Sequence, residues 1–277
     1  MKVAILSKTV CQPTEKVIEF FLQNNFKIDS VIIEMSFRKK FSQREKEYRR
    51  KHDKFNFKTK KYPFVRRLAR KLWDVTPIFI QKFIIQKIYS IPLLNRFSLR
   101  KFCEKRGISV FEVLKHSSEK TKEILERRKI DYVLMVSSNW LLKEPIISMN
   151  NTKIINAHSG WLPKHKGLDS IPWALIDNDK VGITTHFVDE GIDSGPILKF
   201  YEARIEKGDD FNTIKSKVGS LQPIAFYDTL IGLEENKIIP KLQDNTYKPH
   251  TPMSFEMLWD LNKKLIKEKY QPITKPS

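Results

Sequence analysis

Apolar residues gather in short runs separated by polar stretches. Residues 2–7 hold the continuous run Val3-Ala4-Ile5-Leu6, the pattern of a strand buried on both faces. In residues 14–24, Val17, Ile18, Phe21 and Leu22 recur at helical spacing, with Pro13 placed to start that helix. A second strand is predicted over 28–35. This β-α-β opening implies a parallel sheet with helices on its faces. The rhythm resumes with strands at 108–113, 132–137, 153–157 and 182–188, a helix at 118–128 and a short helix at 171–176. An antiparallel-type strand is predicted over 196–205. Asp209 or Asp210 then caps one long helix whose apolar side carries Ile214, Val218, Leu221, Ala225 and Leu230. The tail from Lys241 contains one amphipathic stretch, 257–266. The class is therefore α/β: a Rossmann-like, mostly parallel sheet flanked by helices.

Residues 37–96 break the rhythm. Residues 37–61 are basic and dotted with aromatics. After them Phe64, Val65, Leu68, Ala69, Leu72 and Trp73 share one helical face, and a second amphipathic piece covers 78–91. This reads as a helical insertion, and charge sharpens the picture. The formal net charge is +19, yet residues 38–71 alone hold 16 Lys/Arg against 3 acidic residues. The insertion supplies most of the basic character, which weakens a nucleic-acid reading of the whole protein. The two cysteines, Cys11 and Cys103, have no metal or redox spacing and read as reduced thiols of a cytoplasmic protein. No run approaches the ~20 apolar residues that span a bilayer, and the N-terminus is too short an apolar run for a signal peptide.

Two strand ends carry the candidate chemistry. Residues two apart on a strand share a face, so Asn156 and His158 address one pocket. Sites in open parallel sheets lie beyond the carboxyl ends of strands. The loop Asp189-Glu-Gly-Ile-Asp193-Ser-Gly195-Pro can bring Asp193 to His158, and His186 ends the strand before it. A carboxylate favours the charged imidazole and orients it, and an amide can hold an oxyanion. Those parts suit direct attack by an amine on a carbonyl, with His158 handling protons. Ser159 has nothing to activate it. Zinc at His158, His165 and His186 lacks a ligand spacing, so no metal is expected. His165 reads as exposed, Trp161 and Trp173 as packing residues. Lys164 and Lys166 read equally well as a solvated loop and as anion binders.

Asn156-Ala-His158-Ser159, the Leu162-Pro163-Lys-His-Lys-Gly167 loop and the His186 to Pro196 segment resemble the 10-formyltetrahydrofolate-dependent formyltransferase family. The likeness is good over about 108–240 and looser over 1–35. It implies a catalytic domain over 1–240 with the insertion inside it, followed by a 241–277 extension. It also implies a catalytic trio: Asn156 on the oxyanion, His158 as base or oxyanion stabiliser, and Asp193 orienting or charging His158 and helping proton transfer toward N10 of the folate. The pterin of the formyl donor would lie between Asn139, Trp140, Leu141 and Leu142 and the loop of Val188, Asp189, Glu190, Gly191 and Ile192, with His186 lining the same pocket. Ser159, Gly160, Trp161, Lys164 and Lys166 are the candidate acceptor contacts.

The acceptor is inferred from departures. Ser7-Lys-Thr-Val-Cys-Gln12 has no glycine to cradle a phosphate, as the family's ribonucleotide enzyme does. The 37 residues after Pro240 are too few for the barrel of the family's tRNA enzyme. By elimination the expected reaction formylates a nucleotide-linked amino sugar for surface polysaccharide (O-antigen-type, lipopolysaccharide) synthesis. The alternatives are a methionyl-tRNA or other amine formyltransferase that uses the basic insertion for RNA, and a membrane-associated scaffold with a vestigial site. The insertion itself has three open roles: packing on the core or a second subunit of a homodimer, peripheral membrane contact through 60–96, and RNA binding.

Overall fold

The computed structural model describes residues 1–8, 12–34, 99–136, 141–244 and 246–268. The chain divides into two compact units, Ser36–Phe102 and the combination of Met1–Met35 with Cys103–Ser277. The helices expected in 60–96 lie outside the described residues. The strands and the candidate chemistry at their ends belong to the larger unit.

In chain order the elements are β1 (Val3–Lys8), α1 (Gln12–Gln23), β2 (Ser30–Glu34), α2 (Leu99–Glu104), β3 (Ser109–Val113), α3 (Glu119–Arg128), β4 (Tyr132–Met135), β5 (Lys153–His158), α4 (Ser170–Ile176), β6 (Gly182–Phe187), β7 (Ile197–Glu202), α5 (Phe211–Ser220), α6 (Gln222–Glu234) and α7 (Phe255–Glu268). The seven strands form one sheet in the order β3-β2-β1-β4-β5-β6-β7. The first five are parallel; β6 runs antiparallel to β5, and β7 antiparallel to β6. This is the mostly parallel α/β sheet that the hydrophobic runs imply.

Alternation along β1 divides the core. Ala4 and Leu6 join Ile32, Val133, Ile154, Ile124 and Leu125 in a cluster under α3. The opposite face is covered by α1 and α6, where Phe21 meets Phe26 and Tyr227 edge-on at 5.2 and 5.5 Å. Helix α3 starts where Ser118 accepts the Thr121 N–H at 3.4 Å, and α5 where Asp210 accepts the Thr213 N–H at 2.7 Å.

The single long helix expected after Asp210 is two helices, broken at Leu221. Pro223 explains the break. It has no N–H for the Gly219 carbonyl, and its ring cannot sit within a continuing helix, whereas it is well placed in the first turn of α6. Among the described residues, no helix is long and apolar enough to cross a membrane.

Candidate active site

Strand β5 builds the first half of the site. Ile154 faces the α3-side cluster, so Asn156 and His158 continue that face to the carboxyl edge of the sheet. In the antiparallel pairing Asn156 lies opposite His186 and His158 opposite Thr184, which sets the four side chains on one face. Asp193 arrives from the loop between β6 and β7. Its backbone sits at φ +49°, in the left-handed region that Asp tolerates better than most residues.

The Asp193 carboxylate is the hub. Its Oδ2 lies 3.3 Å from His158 Nδ1 and accepts the Gly167 N–H at 2.9 Å. Its Oδ1 accepts from Asn156 Nδ2 at 3.4 Å and lies 3.5 Å from His186 Nε2. Burial alone would raise its pKa, but the His158 and His186 rings and the Gly167 N–H outweigh that effect and hold it at about 2. His186 donates Nδ1–H to the Phe187 carbonyl at 2.7 Å, and its Nε2 lies 3.2 Å from Asn156 Nδ2 and 3.5 Å from Asp193 Oδ1.

His158 donates Nε2–H to the His165 carbonyl at 2.7 Å. Both its nitrogens therefore face acceptors, so the protonated ring makes both contacts and the neutral ring gives one up. Burial opposes the charge and holds the ring below its ordinary pKa, with Asp193 and the His165 carbonyl acting in the other direction. The ring is thus neutral at rest in surroundings shaped to receive a proton.

The loop after β5 is fixed by polar contacts the motif did not reveal. Thr184 Oγ1 donates to the Gly160 carbonyl at 2.6 Å and accepts the Leu162 N–H at 3.2 Å, and Ser170 Oγ donates to the Ser159 carbonyl at 2.6 Å. Gly160 has no space for a side chain: a Cβ there would press on the His165 carbonyl, lie 2.5 Å from His158 Nε2 and 2.7 Å from Ser170 Cβ. Gly160→Ala is expected to destabilise the protein by about 2 kcal/mol through overpacking and to displace His158. Urea denaturation, together with the ring's NMR titration, checks both effects.

His165 is a correction. Far from exposed, it is fully buried, with Nε2 3.1 Å from Asp179 Oδ2 and Nδ1 3.3 Å from His250 Nε2. Its ring stacks on His250, which stacks in turn on Trp173 at 5.0 Å. The lysines beside it differ in exposure, Lys164 having a side chain 41% exposed. Lys164 pairs with Asp177 and Asp179 at 3.0 and 3.1 Å, and Lys166 is buried. Trp161 stacks on Phe200 at 4.7 Å with Lys180 above its ring, the packing arrangement expected of it. Of the pterin-lining candidates, Asn139 and Trp140 lie outside the described residues. Leu142 is buried in the α3-side cluster and Val188 packs against that same cluster. Leu141 and Ile192 are exposed, as are Glu190 and Gly191. Asp189 closes its own turn by accepting the Gly191 N–H and the Ser194 hydroxyl. Among the described residues, no group of three or more His, Cys, Asp or Glu is arranged to hold a metal ion.

A methionyl-tRNA formyltransferase of Caldanaerobacter subterraneus subsp. tengcongensis is 29% identical over 195 residues, 69% of this chain and 62% of that protein. Another, from Lachnospira eligens, is 30% identical over 53% of this chain and 47% of its own length. The chain thus spans between about half and three fifths of these curated relatives. A sugar N-formyltransferase from Shewanella sp. FDAARGOS_354 shares the fold with a TM-score of 0.54 at 15% identity, over 94% of this chain and 87% of that one. The formyl transferase family model matches residues 1–230, and the chain belongs to that family.

Proposed function

We propose that this protein transfers a formyl group from 10-formyltetrahydrofolate to the amine of a nucleotide-linked amino sugar, as a step in surface-polysaccharide synthesis. The observation that carries formyl transfer is the Asp193 carboxylate, which gathers His158, Asn156, His186 and the Gly167 N–H within 3.5 Å. The donor supplies an electrophilic formyl carbon. His158 accepts the proton that the attacking amine sheds and passes it to N10 as the C–N10 bond breaks and tetrahydrofolate leaves, while Asp193 balances the charge the ring carries in between. Asn156 stabilises the developing oxyanion; its 3.4 Å bond to Asp193 is long enough to be exchanged for a better one. The described residues fit a folate. Leu142 and Val188 join the two segments proposed to line the pterin through one apolar cluster, and each segment carries an exposed apolar side chain, Leu141 and Ile192, of the kind that packs on a flat ring.

The sugar acceptor is favoured by the loop after β1, which has no glycine between Ser7 and Gln12 to cradle a phosphate through backbone N–H groups. The second reading, formylation of methionyl-tRNA, is favoured by the names of the 29–30% identical relatives. The deciding experiment incubates the purified chain with 10-formyltetrahydrofolate and a panel of nucleotide-linked amino sugars, charged initiator tRNA and glycinamide ribonucleotide. Mass spectrometry follows the formylated product. Turnover of at least one sugar is expected; turnover of tRNA alone overturns the sugar assignment, and no turnover of any amine overturns formyl transfer.

A further inference from the structure

The segment after Pro240 returns to the two loops that hold Asp193. Lys241 and Ile197 exchange backbone hydrogen bonds at 2.8 Å in both directions. Two residues on, Gln243 Nε2 donates to the carbonyls of Asp193, at 2.9 Å, and Gly195, at 2.6 Å. The segment then reaches the other side of the carboxylate. His250 N–H donates to the Lys166 carbonyl at 2.8 Å, and the His250 carbonyl accepts the Leu168 N–H at 3.1 Å. Those contacts flank Gly167, at φ +86°, whose N–H holds Asp193 Oδ2. Trp173 Nε1–H and the Met253 N–H fasten the segment to α4 and Asp169.

The Gln243 amide has one workable orientation. Flipped, its oxygen would face two carbonyl oxygens, so the NH2 group must point at the loop. The oxygen that remains, Oε1, is buried without a hydrogen-bond partner. Leaving such an atom buried is destabilising, and packing alone would be served as well by an apolar side chain of the same length. What the amide adds is a two-point hold on the backbone of the residue at φ +49° whose carboxylate meets His158. A left-handed Asp persists where its surroundings over-determine it.

We infer that Gln243 is a positioning residue for formyl transfer: by stapling the Asp193 and Gly195 carbonyls, it fixes the Asp193 carboxylate against His158. The inference rests on the proposed role of that pair. The test is Gln243→Met in the full chain, which keeps side-chain length and removes both hydrogen bonds together with the orphaned oxygen. The expected result is a kcat lower by about 10²-fold, the size of effect that a small displacement of a reacting group produces. The KM values of donor and acceptor stay near wild type. The acidic limb of the pH profile moves, and Tm falls only modestly, because relief of the orphaned oxygen offsets part of the loss of a donor at the two carbonyls, with kcat read well below either Tm. Gln243→Asn, a shorter donor, gives a partial loss. NMR titration of the His158 ring supplies a readout independent of turnover, and it shifts in Gln243→Met. A wild-type kcat with an unmoved ring titration overturns the inference, and so does a loss of kcat that merely follows a loss of Tm. If no amine is formylated by the wild type, the proposed function fails, while the ring titration still decides whether Gln243 governs the pair.

Discussion

Asp193→Asn is expected to lower kcat by about 10³-fold, within the range typical of general acid–base groups, and to leave the fold intact. Asparagine is nearly isosteric and tolerates the left-handed backbone at φ +49°. The Gly167 N–H can still donate to its amide oxygen. What is lost is the negative charge beside His158 and His186. Without it, burial dominates the His158 ring, and the protonated state is no longer balanced. KM should change little, because the carboxylate acts on the ring and not on the bulk of either substrate. The same variant carries a stability signature. Asp193 has a pKa of about 2 in the folded protein against an ordinary 3.8, so its ionised form is stabilised by folding. That contribution, about 2 kcal/mol, is fully present above pH 3.8 and is lost as pH falls toward 2. Urea denaturation of the two proteins should show their stability gap narrowing over that window. A gap that stays constant across it would mean that the carboxylate is not held by the surrounding rings and the Gly167 N–H.

The half of the site built on regular structure was legible in the sequence. Period-two alternation along β5 and the position of His186 near the end of β6 are local signals, and both follow from strand geometry. The supporting half was not legible, for physical reasons. Lys164, His165 and Lys166 form a polar run in a Gly/Pro loop, a pattern that normally faces water. Here Asp177 and Asp179 neutralise Lys164, and Asp179 and His250 partner the buried His165. These partners lie 13 to 85 residues away along the chain, and side-chain hydrogen bonds across such separations leave no periodic trace. Gln243 illustrates the same limit: nothing in its neighbourhood, Lys-Leu-Gln-Asp-Asn, distinguishes it from a solvated tail. The helix break at Leu221 differs, since Pro223 was present as a local signal and the apolar periodicity running through it masked the interruption.

Replacing His158 by asparagine should produce the largest loss, a kcat lower by about 10⁴-fold. The substitution is chosen because the Asn amide can still donate to Asp193 as an Nδ1–H would, while it can neither accept a proton nor reach the His165 carbonyl as Nε2 does. A loss on that scale therefore isolates proton transfer from the mere holding of Asp193. The pH profile of the wild type then separates the two roles open to the ring. Burial holds its pKa below the ordinary 6.5, so the neutral form prevails at neutral pH. If the ring works as a base, kcat falls as pH drops through that lowered value and levels off above it. If it works as a cation that stabilises the oxyanion, kcat instead falls as pH rises. The base fits the surroundings better: the two acceptors around the ring, Asp193 Oδ2 at 3.3 Å and the His165 carbonyl at 2.7 Å, are satisfied together only after the ring has taken up the proton. The acidic limb of the profile should accordingly be present in the wild type and absent from the residual activity of His158→Asn. A profile rising toward acid would reassign the ring to the oxyanion and leave the proton to Asp193.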